Sequence, residues 1–238
     1  MKFLNSFTTK IYADGASLNE ILELNSLDYI SGFTTNPTLM KKANITDYQD
    51  FALQVLDKVK KKPISFEVFS DDTDEMFLQA IKISSWADNV YVKIPITNTK
   101  GQPTKEIIKN LSKEGVKLNI TAIFTKDQIN YLIDDIDFNS PIIFSYFAGR
   151  VADSGIDPLP KIKEIIDLTS SNDSIEILWA SPREVFNVIQ ANDAKCHIIT
   201  VSNELLSKLK NIGKNLDEFS LDTVKMFYND ALNAGYDI

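Results

Sequence analysis

Lys93 stands in the run Asn89-Val90-Tyr91-Val92-Lys93-Ile94-Pro95-Ile96-Thr97, an almost wholly apolar stretch of the kind that forms a strand buried on both faces. Burying an ammonium without a partner is costly, so this lysine needs a physical reason. Either the side chain snorkels out or pairs with a buried carboxylate, or it is an amine that can shed its proton and attack a carbonyl. Other polar residues favour the second reading. Glu67, Lys93, Asn119 and Ser145 follow one another at intervals of 26 residues, the length of one strand-plus-helix unit. That rhythm predicts four polar side chains at similar heights on successive strands. Asp14, Asn36 and Ser181 fall near the ends of three more strand-like runs. One buried polar residue is commonly a satisfied core group, whereas seven from seven strands have the character of an active site.

The elements that must hold these residues are legible. Strands are expected at Lys10–Asp14, Tyr29–Thr34, Ile64–Phe69, Asn89–Thr97, Lys117–Phe124, Pro141–Phe147, Ile175–Ala180 and Cys196–Val201. Helical patterns fill the intervals. Asp47 can cap one whose apolar face carries Tyr48, Phe51, Ala52, Val55, Leu56 and Val59. Asp71-Asp72-Thr73 opens another with Phe77, Ala80, Ile81 and Ala87 inward, and Gly115 stops the helix of Ile107, Ile108 and Leu111. An Asp-, Gly- and Pro-containing loop is expected over Asp153–Pro160, and Ser181-Pro182-Arg183 is read as a helix start. Strict alternation means a parallel sheet with helices outside. No G-x-G-x-x-G or Walker loop follows the first strand, which disfavours the open, doubly wound sheet. The expectation is one α/β domain over residues 1–238, a (β/α)₈ TIM barrel, with 215–238 a C-terminal helical extension.

Composition narrows the function. A net charge of −8, with 24% charged residues, argues against binding nucleic acid or an anionic membrane. The single cysteine, Cys196, excludes an internal disulfide, and the single histidine, His197, excludes a multi-histidine metal site. His197 reads as a satisfied core residue, Trp86 and Trp179 as packing, and Asp134-Asp135-Ile136-Asp137 as a solvated helix end. Met1-Lys2-Phe3-Leu4-Asn5-Ser6 lacks the apolar core of a signal peptide, and a cytoplasmic, reducing setting is expected.

Five segments resemble, in order, those of the transaldolase family, in its short branch shared with fructose-6-phosphate aldolase. They are Thr34-Thr35-Asn36-Pro37-Thr38-Leu39, Val92-Lys93-Ile94-Pro95, Leu118-Asn119-Ile120-Thr121, Phe144-Ser145-Tyr146-Phe147-Ala148-Gly149-Arg150 and Ala180-Ser181-Pro182-Arg183. The resemblance implies that Lys93 forms an iminium with a phosphorylated ketose. Glu67 would act through water as general acid and base, supported by Thr121. Asp14 would take the hydroxyl proton as the carbon–carbon bond breaks. Asn36 with Thr35, Asn119, Ser145 and Phe147 would surround the three-carbon dihydroxyacetone unit. Arg150, Ser181 and Arg183 would hold the phosphate.

No metal or organic cofactor is implied. The partners would be sugar phosphates (fructose 6-phosphate or sedoheptulose 7-phosphate, with erythrose 4-phosphate or glyceraldehyde 3-phosphate) in the pentose phosphate pathway. Glu67 and Phe147 match transaldolases, where the aldolases have glutamine and tyrosine; an aldolase releasing dihydroxyacetone, or an enzyme for another anionic ketose, is the alternative. The chain departs from the family in Tyr146, where proline is usual, in Gly15-Ala16 after Asp14, and in the segment Val151–Pro160. Phe219, Val224, Phe227, Tyr228 and Leu232 mark a terminal amphipathic helix, and the resemblance implies its exchange between neighbours in a ring-like homo-oligomer.

Overall fold

A computed structural model describes residues 6–237; the reading that Met1–Ser6 lacks a signal peptide's apolar core falls, except for Ser6, outside the described residues. Strands and helices alternate as β1 (Lys10–Asp14), α1 (Leu18–Asn25), β2 (Ile30–Thr34), α2 (Pro37–Lys42), α3 (Tyr48–Lys58), β3 (Ile64–Glu67), α4 (Thr73–Ser84), β4 (Val90–Pro95), α5 (Lys105–Lys113) and β5 (Leu118–Ile123). They continue as α6 (Lys126–Ile133), β6 (Ile142–Tyr146), α7 (Ala148–Asp153), α8 (Pro158–Thr169), β7 (Ile175–Trp179), α9 (Phe186–Asp193), β8 (Ile198–Ser202), α10 (Asn203–Lys208) and α11 (Leu216–Ala234). The eight strands close in sequence order into one parallel barrel, the (β/α)₈ fold.

Local chemistry accounts for many of the boundaries. Side chains of Ser17, Asp47, Asp72, Asp157 and Asn215 each accept a backbone N–H at the start of a helix. Thr125 and Gln128 form a reciprocal capping box at α6. Gly115, at φ 76°, ends the α5 turn in a conformation that a β-carbon would strain.

Two cores hold the barrel. Between sheet and helices lies a continuous layer of Ile, Val, Leu and Phe, including Phe33, Phe66, Ile94 and Ile120. Inside the barrel a small separate cluster of Tyr12, Ile143, Leu178, Ala180 and Ile198 fills the lower lumen. Gly32 faces the Tyr12 ring so closely that an added Cβ would sit 2.6 Å from it. That glycine makes room for the tyrosine that plugs the barrel beneath the site.

The register refines the 26-residue rhythm. Glu67 pairs with Lys93, and Lys93 with Asn119, on one continuous rung. Asn119 then pairs with Ile143, so Ser145 lies two residues further along, opposite Leu178. Equal sequence spacing gives equal height only where register is unshifted, and barrel closure requires a stagger.

The structure adds local detail and corrects some expectations. Pro37–Lys42 is a short helix, with Asn36 as its N-cap. Ala148–Asp153 is helical too, and Pro158 already lies in the first turn of α8, so the expected loop shrinks to the turn around Gly155. Helix α9 begins at Phe186, so Ser181 and Arg183 precede it on a loop rather than starting it. The fully buried residues of α4 are Met76, Ala80 and Ile83, while Phe77, Ile81 and, just beyond the helix, Ala87 pack partly buried against the same core. Tyr146 is fully buried on the outer face of β6, away from Ser145, and its hydroxyl has no hydrogen-bond partner. Helix α11 buries no residue, and Phe227, Tyr228 and Leu232 are each more than 60% exposed. No helix among the described residues is long and apolar enough to cross a membrane.

Candidate active site

A cavity of about 570 Å³ opens at the C-terminal ends of the strands. A wider groove of about 850 Å³ lies outside the barrel along α4 and α5, but no strand-end residue reaches it. Lys93, only 7% exposed, sits at the cavity floor. Its Nζ donates to the Thr35 carbonyl at 2.9 Å and lies 3.2 Å from Glu67 Oε2. Lys93 is thus in a buried ion pair, and it also lines the cavity.

Glu67 ends β3, still paired with Lys93 of β4 but beyond the last β2 pairing at Ser65. Tyr48, reaching in from α3, completes its backbone bonding: the Glu67 N–H donates to the Tyr48 hydroxyl at 2.8 Å, and that hydroxyl donates to the Glu67 carbonyl at 3.0 Å. The tyrosine ring is braced edge-on by Phe66 and Trp86 at centroid distances of 6.0 and 5.8 Å.

Asp14, at the end of β1, accepts a 2.7 Å hydrogen bond from the Thr34 hydroxyl, which in turn meets the Thr200 hydroxyl in a short contact. Burial raises the Asp14 carboxyl above the ordinary carboxylate range; the Lys93 charge and the Thr34 hydrogen bond pull it down less strongly. The acid is therefore easier to protonate than a surface aspartate.

Polar partners fix the rest of the floor. Ser145 donates to Asn119 Oδ1 at 2.6 Å, and Asn119 Nδ2 donates to Ser65 Oγ at 3.0 Å. Asn119 is fully buried one layer below the cavity surface, while Ser145 and Thr121 line it. Asn36 also lines it, with its Oδ1 accepting from the Leu39 N–H at 3.0 Å. The Thr35 side chain is turned out of the wall: its hydroxyl donates to the Ser65 carbonyl at 3.0 Å, and only its backbone oxygen meets Lys93. Thr121 makes no hydrogen bond with Glu67.

The mouth is cationic. Arg150, on α7, stacks over the Phe147 ring at 5.4 Å. Arg183 donates from Nη1 to Ser181 Oγ at 3.0 Å and from Nε to Asp153 at 3.0 Å. That hydrogen bonding, helped by the guanidinium charge, holds the Asp153 carboxyl below the usual range. Lys42, in the last turn of α2, adds a further positive charge to the wall. Ser181 itself adopts φ 61° where the chain leaves β7. Gly149 lets α7 approach that turn: its N–H donates to the Ala180 carbonyl at 3.3 Å, and a Cβ there would overlap the Ser181 carbonyl.

Cys196 and His197 are at the far end of the barrel. The thiol is buried and pushed up to about 12, and His197 Nδ1 accepts the Ile177 N–H at 3.0 Å. Among the described residues, no cluster of three or more His, Cys, Asp or Glu side chains could hold a metal ion.

The family described as Transaldolase/Fructose-6-phosphate aldolase matches residues 11–237. The chain belongs to this family. A probable transaldolase of Dehalococcoides mccartyi is 35% identical over 202 residues, covering 84% of this chain and 89% of the relative. One from Methanococcus vannielii is 33% identical over 204 residues, covering 85% and 90%. Among solved structures, dihydrodipicolinate synthase from Rhodopseudomonas palustris superposes with a TM-score of 0.58 at 14% identity, covering 95% of this chain and 80% of that one. A putative phosphonomutase from Burkholderia cenocepacia gives 0.57 at 9% identity, covering 91% and 97%. At such identities these two show the barrel alone.

In this transaldolase-family protein, sequence reasoning missed Tyr48, Ser65, Thr34, Thr200 and Asp153. Tyr48 falls on the apolar face of its helix, and that periodicity carries no sign of a polar duty. Thr34 lay within a recognised run, beside the residues that drew notice. Asp153 follows Arg150 by three positions, one helical turn, but only the helix of Ala148–Asp153 makes that spacing meaningful.

Proposed function

We propose that this protein is a Schiff-base transaldolase that moves a dihydroxyacetone unit from fructose 6-phosphate or sedoheptulose 7-phosphate to an aldose phosphate, as in the pentose phosphate pathway. The observation that carries the reading is Lys93 Nζ, buried at the cavity floor and 3.2 Å from a carboxylate that can take its proton. Arginines at the mouth supply the second handle for a phosphorylated ketose.

Transfer of one proton from Nζ to Glu67 gives a neutral amine beside a carboxylic acid. The amine attacks the keto carbon, and Glu67 returns its proton as the carbinolamine loses water, leaving an iminium. Asp14, as carboxylate, takes the C4 hydroxyl proton while the C3–C4 bond breaks. Its electron pair passes into the iminium, forming an enamine, and an aldose phosphate leaves. The enamine attacks the aldehyde of the acceptor, whose new alkoxide recovers the proton from Asp14. Water then hydrolyses the iminium and restores Lys93. The Ser145–Asn119–Ser65 chain keeps Ser145 in place beside the three-carbon unit.

Phe147 favours transfer over release, because its ring, packed 5.6 Å from Phe124, offers no hydroxyl to direct water at the enamine. The apolar side chains left exposed on α11 support a homo-oligomer in which residues 215–238 dock on a neighbouring copy. A cytoplasmic setting fits sugar-phosphate metabolism.

The test is borohydride reduction in the presence of fructose 6-phosphate. A three-carbon adduct on Lys93 by mass spectrometry is expected, with turnover dependent on erythrose 4-phosphate. Full activity of Lys93→Met would refute the iminium; turnover equal without acceptor would instead indicate an aldolase.

A further inference from the structure

The two arginines at the cavity mouth are held in different ways. Arg150 is held by stacking on Phe147, with no hydrogen bond from its guanidinium. Arg183 is fastened on two sides. Its Nε and Nη2 edge faces the Asp153 carboxylate, with Nε 3.0 and 3.1 Å from the two oxygens and Nη2 in a short contact with one of them. Its Nη1 donates to Ser181 Oγ at 3.0 Å. A guanidinium offers two bidentate edges, and this arrangement consumes the inner one while free N–H groups remain at the Nη1–Nη2 end. Both Asp153 and Arg183 are about half exposed, so the pair alone contributes little to stability. Its consequence is orientation.

The fold fixes the carboxylate. Asp153 ends α7, the helix that carries Arg150, and α7 is docked on the β7 turn through the Gly149–Ala180 hydrogen bond. Asp153 is thus tied to the same rigid contact that positions Ser181, and the guanidinium is stretched between them.

We propose that Asp153 is a positioning residue that sets the specificity for an anionic head group: it anchors the inner edge of Arg183 so that the outer edge meets the substrate phosphate. This rests on the assignment of Arg183 to the phosphate. Without Asp153 the side chain gains rotamers, and the anion must order it on binding, which weakens affinity for phosphorylated sugars and for nothing else. A carboxylate that merely competed with the phosphate would do the reverse.

Steady-state kinetics of Asp153→Asn decide between these, using fructose 6-phosphate and unphosphorylated fructose as donors with saturating erythrose 4-phosphate. The expected result is a KM for fructose 6-phosphate raised about tenfold with kcat within about twofold, and a KM for fructose that does not move. In an Arg183→Ala background the Asp153→Asn change should have no further effect. A KM for fructose 6-phosphate that falls or stays constant, or a parallel loss on both donors, overturns the proposal. Should Arg183→Ala itself leave the KM for fructose 6-phosphate unchanged, the phosphate assignment fails first, and the two failures are distinguishable.

Discussion

Glu67 and Lys93 are register partners on adjacent parallel strands, and their side chains meet at 3.2 Å on the inner face of the barrel. Neighbouring inward positions at one height bring a carboxylate and an amine together with little freedom to drift. Glu67 is held by a backbone clamp from Tyr48 and Lys93 by the Thr35 carbonyl, so the pair is preorganised from both sides.

Replacing Glu67 by glutamine keeps the shape and removes the proton acceptor. Formation of the borohydride-trappable adduct should slow by about 10²-fold or more, the usual scale of general acid–base catalysis. Quenched single-turnover mass spectrometry reads this directly; an unchanged adduct rate would show that the proton leaves Lys93 by another route.

Asp14→Asn should lose turnover yet gain stability, and the gain should depend on pH. Burial raises the Asp14 carboxyl, so the folded state holds its proton more tightly than the unfolded chain. The associated stability is present at low pH and is lost as pH rises through the raised folded value. The variant's advantage over the parent in urea unfolding should therefore be largest near pH 8 and shrink toward pH 5. An advantage growing in the opposite direction would contradict the burial of this group.

Tyr48→Phe keeps the ring among Phe66 and Trp86 but leaves the Glu67 N–H and carbonyl without their side-chain partner. Losing those part-buried bonds should cost about 1–2 kcal/mol in equilibrium unfolding. kcat should fall as well, because the carboxylate loses its backbone brace. A stability loss with unaltered kcat would confine Tyr48 to a structural part.

Phe227→Glu changes a helix face that the chain itself leaves uncovered. If α11 docks on another copy, analytical ultracentrifugation should show the parent as an oligomer and the variant dissociated, with an unaltered monomer circular dichroism spectrum. A monomeric parent would remove the docking proposal.

Much of the fold is legible in the sequence. The alternation of apolar runs with capped helices specifies strands feeding helices, because each apolar face must be buried and each helix end must satisfy its backbone N–H groups. The interval from Glu67 to Lys93 to Asn119 placed three residues on one rung, and the five recognised segments gathered at one end of the barrel. The short helices of Pro37–Lys42 and Ala148–Asp153 were not legible, since six residues carry too little periodicity to distinguish a turn of helix from a loop.

By itself, then, the sequence determined the order of the strands and pointed to the polar groups at their ends, for these follow from local pattern and from the rule that apolar surface is buried. The tertiary structure alone decided which groups touch. The stagger demanded by closure put Ser145 two residues past the Asn119 rung, the close approach permitted by Gly149 brought Asp153 to Arg183, and the end of the β2–β3 pairing at Ser65 left Glu67 a backbone for Tyr48 to complete. Each of those contacts joins segments distant along the chain. Their register is set by barrel geometry and packing, which no local stretch of sequence encodes.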